Sequence, residues 1–344
     1  MIRLTEIQWN RTDLIDESDE IVAHRTKAQK EKLDETSGVT IKELTDGRVR
    51  ITKVSVDENG EGQIGKKRGE YVTLSVPTLT VDDDNGFGQL EKSFLKHLDE
   101  LHSSLKFKQG ERVLIIGLGN RTITPDAIGP YVIDLLHSGE LGVPADSLIM
   151  YAPGVTGQTG YETSEFVAAL AEKIKPSCIF VIDALATRAS SRLCKTIQIT
   201  DTGIHPGSGV GNQRQEISFE KLGVPVTAIG VPTVVDAPVL IADAVEVMMK
   251  SIAARIEEKG KPSSRLSVGA MPPNIDNADL SLVAPIFGDW ATWSIEDRRQ
   301  LFEEVFQGHA DRHIVTPKEV DIYISEYARL ITRVILKWAE QKVA

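Results

Sequence analysis

The chain has 344 residues, 41% hydrophobic and 26% charged, with a formal net charge of −11. That length and apolar content support a sizeable buried core without disulfides and exclude a disordered chain. The acidic balance argues against nucleic acid as a direct partner, and with no apolar signal segment at the start and no run of roughly 20 apolar residues, the expectation is a soluble, cytoplasmic protein without a membrane partner.

The first stretch, to about residue 35, mixes acidic and basic residues and reads as an exposed arm with helical tendency over 19–33. Strands are predicted at 40–44 and 49–54 around Asp46-Gly47, a hairpin turn signal. A third strand is predicted at 71–76. Asp82 to Gly86 reads as a solvated loop whose carboxylate spacing is not that of a calcium loop. From residue 113 onward the pattern changes. Apolar strands at 113–116, 147–151, 179–182, 196–199 and 226–229 alternate with helices after Pro125, at 162–174 and at 236–256. Continuous apolar strands separated by helices predict an α/β fold: a mostly parallel central sheet flanked by helices on both faces, with an N-terminal β-hairpin region. Residues 261–298 lack a period and read as an insertion. Thr316-Pro317-Lys318-Glu319 reads as a capping box opening a last helix with Val320, Ile324, Tyr327, Ile331, Val334 and Trp338 as its apolar stripe.

In such sheets reactive groups gather beyond the carboxyl ends of the strands. Gly117 and Gly119 match the start of a dinucleotide fingerprint, but Thr122 occupies its third glycine position and no Gly-Lys-Ser/Thr follows, so neither NAD nor a P-loop nucleotide is expected. What remains is a strand, a glycine turn at Gly119-Asn120, and Asp126 at the mouth of a helix, either as a helix cap or as a reactive acid. Asp183 follows a buried strand, where a carboxylate costs free energy unless it is paired or used. Two acids converging at one sheet edge can share a proton and activate water; structural hydrogen bonding is the competing reading.

Gln158, Thr159 and Glu162 lie where a strand gives way to a helix, suited to holding a peptide carbonyl or simply to starting that helix. His205 sits in a glycine-rich loop as a metal ligand, an acid-base group or a solvated side chain. Asp201-Thr202-Gly203 resembles the signature of pepsin-like and retroviral proteases, but those folds are all-β and the α/β pattern here excludes them. Cys178 and Cys194 read as reduced core thiols.

Five stretches together resemble the germination protease family: Leu-Gly-Asn with Thr-Pro-Asp-Ala-Ile-Gly-Pro (118–130), Gly-Gln-Thr-Gly-Tyr-Glu-Thr-Ser-Glu (157–165), Ile-Asp-Ala-Leu-Ala (182–186), Thr-Asp-Thr-Gly-Ile-His-Pro-Gly-Ser-Gly-Val-Gly-Asn (200–212) and Ala-Ile-Gly-Val-Pro-Thr-Val-Val-Asp-Ala (228–237). The resemblance covers roughly residues 8 to 336 and is weakest over 261–298. It implies an endopeptidase of the spore core that degrades small acid-soluble spore proteins at germination. It also implies a homotetramer, no cofactor, and a precursor that removes its own N-terminal segment. The implied catalytic acids are Asp126 and Asp183, and the implied cut falls at Asp13 and Leu14, with Ile15 where the family usually has Ala. The implied layout is a propeptide-like arm at 1–13 and a single α/β domain over 14–344. The fold also resembles hydrogenase-maturation endopeptidases, whose acids contact nickel together with a His. A metal-assisted peptidase using Asp126, Asp183 and His205, or a non-catalytic peptide-binding relative, are the alternatives.

Overall fold

The computed structural model describes residues 38–64, 66–142, 146–154, 162–206, 216–258, 275, 278–307 and 313–343. The chain divides into two compact units, Met1–Val234 with Thr316–Ala344, and Val235–Val315.

The first unit opens with the expected hairpin, β1 (Val39–Asp46) and β2 (Val49–Val56), closed with Asp46 opposite Val49. After α1 (Glu58–Ile64), β3 (Gly69–Ser75) pairs antiparallel with β2. The stretch from Asp82 to Gly86 is not a solvated loop. It opens α2 (Asp84–Leu101), because Asp83 accepts the Gly86 N–H at 2.9 Å and is gripped by both terminal guanidinium nitrogens of Arg48 at 2.9 and 2.6 Å. A carboxylate that both caps a helix and pairs with an arginine has its acceptor positions filled, and the local polarity that suggested a loop serves the helix start instead.

Next come β4 (Val113–Gly117), α3 (Ile128–Ser138), β5 (Leu148–Tyr151), α4 (Thr163–Ile174), β6 (Cys178–Thr187), β7 (Thr196–Thr200), α5 (Phe219–Leu222) and β8 (Val226–Asp236). The strand order is β1-β2-β3-β7-β8-β6-β4-β5. The centre is parallel, with β4 between β5 and β6. The sheet is not purely parallel: β7 runs antiparallel to both β3 and β8 and joins the N-terminal hairpin region to the centre. Both β6 and β8, neighbours in the sheet, run well past the predicted ends.

Helices cover both faces, and strand alternation decides which residue meets which helix. Val113, Ile115, Phe180, Ile182, Ile197 and Ile199 pack with α2, α3 and the last helix; Leu114, Ile116, Ile179 and Val181 pack with Val167 and Ala171 of α4. Cys178 and Cys194 are free, buried thiols, and burial pushes Cys194 up to about 12.

The second unit holds α6 (Ala237–Glu258), α7 (Ala284–Phe287), α8 (Ile295–Gln307) and β9 (Ile314–Val315). β9 pairs with Val235 and Asp236 at the end of β8. Its core gathers Met249, Ala253, Val283 and Ala291, and Arg298 donates to the Ala291 carbonyl at 2.9 Å. Part of the 261–298 segment lies outside the described residues, as does the whole of the predicted arm.

The last helix is α9 (Val320–Lys342), and its predicted stripe is the buried one, with Trp338 fully enclosed among Phe107, Phe180 and His102 at ring separations of 5.1, 4.9 and 5.2 Å. The predicted capping box does not form. Glu319 holds the cap position without a side-chain bond, and the Thr316 hydroxyl donates to the Thr233 carbonyl at 2.9 Å. The helix starts too late for Thr316 to reach its first turn.

His102 is buried, with Nε2 2.6 Å from Thr227 Oγ1, and burial pulls its pKa down to about 4. An unfolded chain takes up this proton near pH 6.5 and the folded one only near 4, so the group's stabilisation is present above 6.5 and is lost as pH falls towards 4. Burial lowers His97 in the same direction. Urea unfolding is expected to give a free energy about 1 kcal/mol smaller at pH 5.5 than at 7.5 from His102 alone. A flat profile across that range would contradict a neutral, buried His102.

Candidate active site

The site is built where the β4–β6 ladder ends. Gly117 lies opposite Ile182, and the next N–H, that of Leu118, still donates to the Ile182 carbonyl at 2.8 Å. One residue further along β6 is Asp183, which therefore sits inside a long strand at the point where its neighbour β4 turns away. It is 7% exposed, and its Oδ1 accepts the Ala184 N–H at 2.9 Å.

Beyond Leu118 the chain turns at Gly119, whose φ of +112° is a conformation that L side chains rarely adopt. A Cβ there would overlap the Asp126 carbonyl oxygen and stand 3.2 Å from its Oδ1. Glycine thus allows the backbone to lie directly on Asp126. The Asn120 N–H uses that proximity, donating to the Asp126 carbonyl at 3.0 Å and to its Oδ2 at 2.8 Å. The Asn120 side chain folds back to accept from the Thr122 N–H at 3.0 Å and hydroxyl at 2.7 Å, which stiffens the turn. A 3₁₀ turn over Thr124–Asp126 then leads into α3, with the Asp126 N–H donating to the Ile123 carbonyl at 2.8 Å.

Asp126 is not the cap of α3. Ala127 holds that position without a side-chain bond. Arg121 pairs with Asp134 of α3 at 2.6 Å across an exposed surface, a contact that braces the turn's outer side.

Gly129 draws the start of α3 onto both strands. A Cβ on it would overlap the Leu118 carbonyl oxygen and stand 2.6 Å from the Leu118 nitrogen and 2.7 Å from the Ile182 carbonyl oxygen. The turn carrying Asp126 and the strand carrying Asp183 are therefore pressed together through main chain. Gly119, Asn120, Asp126 and Asp183 share one neighbourhood.

The other candidates lie apart or outside the described residues. β7 is antiparallel to β8, with Thr200 opposite Ala228, so Asp201-Thr202-Gly203 leaves at the start of β8, whereas Thr233 near the other end of β8 reaches the Asp126 turn. Asp201 accepts the Glu70 N–H at 2.8 Å, and burial holds its carboxyl above the usual range. His205 faces Glu216 at 3.9 Å, and Glu216 is itself paired with Lys67. Among the described residues no group of three or more His, Cys, Asp or Glu side chains is arranged to hold a metal ion, so Asp126, Asp183 and His205 do not form one. Glu162 holds the cap position of α4 without a side-chain cap bond, its carbonyl accepting the Phe166 N–H at 3.2 Å. Gln158, Thr159, Asp13 and Leu14 lie outside the described residues. Sequence reasoning does not single out Thr233 or Gly129. Thr233 lies beyond the predicted end of β8 at 229, although the β-branched residues on either side of Pro232 carry the strand through.

The family model described as germination protease matches residues 15–343. Among curated relatives, the germination protease of Priestia megaterium is 38% identical over 93% of this chain and 91% of its own length. That of Bacillus mycoides is 38% identical over the same shares, and that of Oceanobacillus iheyensis 35% over 97% and 95%. A solved [NiFe] hydrogenase maturation protease from Thermococcus kodakarensis is 20% identical, covers 40% of this chain and 80% of its own, and has a TM-score of 0.28, too low to carry weight.

If the main-chain contact at Gly129 holds the site together, Gly129→Ala is expected to cost about 1–3 kcal/mol through overpacking. Gly88→Ala, where a Cβ on α2 meets nothing within 4 Å, is expected to be neutral or stabilising. Paired urea titrations read both, and equal midpoints for the two variants would refute the contact's importance.

Proposed function

The chain belongs to the germination protease family, and we propose that it is an endopeptidase that degrades small acid-soluble spore proteins in the spore core, using Asp126 and Asp183 to activate water. That it is a protease of spore germination follows from the family. The carrying observation for the residue assignment is the junction at which Leu118 bonds Ile182 and Asn120 bonds Asp126, so that the two acids are supplied by adjoining backbone segments. One carboxylate accepts a proton from water as the oxygen attacks the peptide carbonyl. The other, protonated, donates to the departing amine as the C–N bond breaks, and the shared proton is restored for the next cycle. The protein is made as a precursor that cuts itself between Asp13 and Leu14, and it works as a homotetramer.

Asp126→Asn and Asp183→Asn are each expected to lower turnover of a purified small acid-soluble spore protein by about 10²–10⁴-fold while the urea midpoint stays near that of the unaltered chain. Mass spectrometry of the unaltered protein is expected to show loss of the segment ending at Asp13, and neither variant should lose it. Full cutting by either variant overturns the assignment. Loss of activity on exhaustive chelation points to a metal-assisted peptidase instead, and no cleavage at any pH points to a peptide-binding relative.

A further inference from the structure

The strand β8 carries Thr233 between the buried Val231 and Val235. The residue is 1% exposed, and its hydroxyl donates to the Pro125 carbonyl at 2.7 Å, across 108 positions of sequence. That carbonyl belongs to the peptide bond that ends in the nitrogen of Asp126. Its orientation therefore fixes the plane from which the Asp126 Cα and side chain project.

Three bonds at Asp126 come from within the turn, one of them from the Asn120 N–H to its Oδ2 at 2.8 Å. The Asp126 N–H is held by the Ile123 carbonyl at 2.8 Å, and its own carbonyl by the Asn120 N–H at 3.0 Å. Both of those partners lie within six residues of Asp126 and move with the turn. Pro125 contributes no N–H, which leaves its carbonyl as its one main-chain handle. Thr233 thus ties this turn to a sheet strand by a hydrogen bond from outside the turn. Thr233 is itself anchored: its carbonyl accepts the Thr316 hydroxyl at 2.9 Å, and the preceding Pro232 carbonyl accepts the Cys194 N–H at 2.7 Å. An acid aimed by a flexible surface turn would sample many directions; one aimed by a buried strand does not.

The geometry points to Thr233 as a positioning residue that holds the Asp126 carboxylate in its working direction through the Pro125 carbonyl. This rests on the assignment of Asp126 as a reactive acid. Misplacing a reactive group by about 1 Å costs roughly a hundredfold in rate, with little reason for substrate affinity to change. Val has nearly the shape of Thr but no hydroxyl, and Ser keeps the hydroxyl without the methyl.

The test uses the full chain carrying Thr233→Val, Thr233→Ser and, in parallel, Asp126→Asn, with a small acid-soluble spore protein as substrate and amide hydrogen exchange at Asn120 as a second reading. The expected result is a kcat about 10–100-fold lower in Thr233→Val at unchanged KM, faster exchange of the Asn120 amide, and recovery of both in Thr233→Ser. Unaltered kcat in Thr233→Val, or a Ser variant no better than Val, overturns the inference. If Asp126→Asn cuts at full rate, the catalytic assignment fails by itself, and the Asn120 exchange in Thr233→Val then decides alone whether Thr233 holds the turn.

Discussion

Gly129 lies so close to Leu118 and to the Ile182 carbonyl that any side chain would overlap backbone atoms, and this approach sets the distance between the two halves of the site. Interior packing is dense and resists movement of main chain more than of side chains. When the start of a helix rests on two strands in this way, the residues flanking it have little freedom. Asp126 lies three residues before Gly129 and Asp183 one residue after Ile182. The segments that carry them are therefore held together through main chain.

The sheet gives that packing a rigid floor. β4 and β6 run side by side with Val113 opposite Cys178 through Gly117 opposite Ile182, both faces covered. The apolar cost of breaking this arrangement is large, because side chains such as Phe180 and Ile115 are fully buried and removing one typically costs several kcal/mol. β8 then adds a second function. Its lower half pairs with β7, and its upper half delivers Thr233 to the site before the chain passes into the second unit at Val235. The antiparallel wing formed by β1, β2, β3 and β7 completes the sheet on the other side.

The parallel centre is legible in the sequence because buried strands there are nearly pure Val, Ile and Leu, and the last helix is legible because its stripe keeps a 3.6-residue period. Asp126 and Asp183 stand out in the sequence because each is an acid following an apolar strand-like run, although Asp183 lies inside β6, which runs on past it. What stays hidden depends on contacts distant in sequence. Arg48 converts the acidic stretch at Asp83 into a helix start from 35 positions away, and Thr316 leaves its expected cap for the Thr233 carbonyl. No local pattern encodes such partners. The same holds for His205, whose loop position leaves several roles open until Glu216 is found beside it.

The competing reading of Asp126 is that of a helix cap, but Ala127 holds the cap position of α3. A helix leaves its first N–H groups without partners inside the helix, and a carboxylate at the cap position normally answers them. Here Pro130 sits third in α3 and has no N–H to answer, while the Ala127 N–H is already turned back to the Thr124 carbonyl at 3.1 Å. The 3₁₀ turn over Thr124–Asp126 places the acid one residue before the cap position, so its side chain points back along the chain to the Asn120 N–H at 2.8 Å.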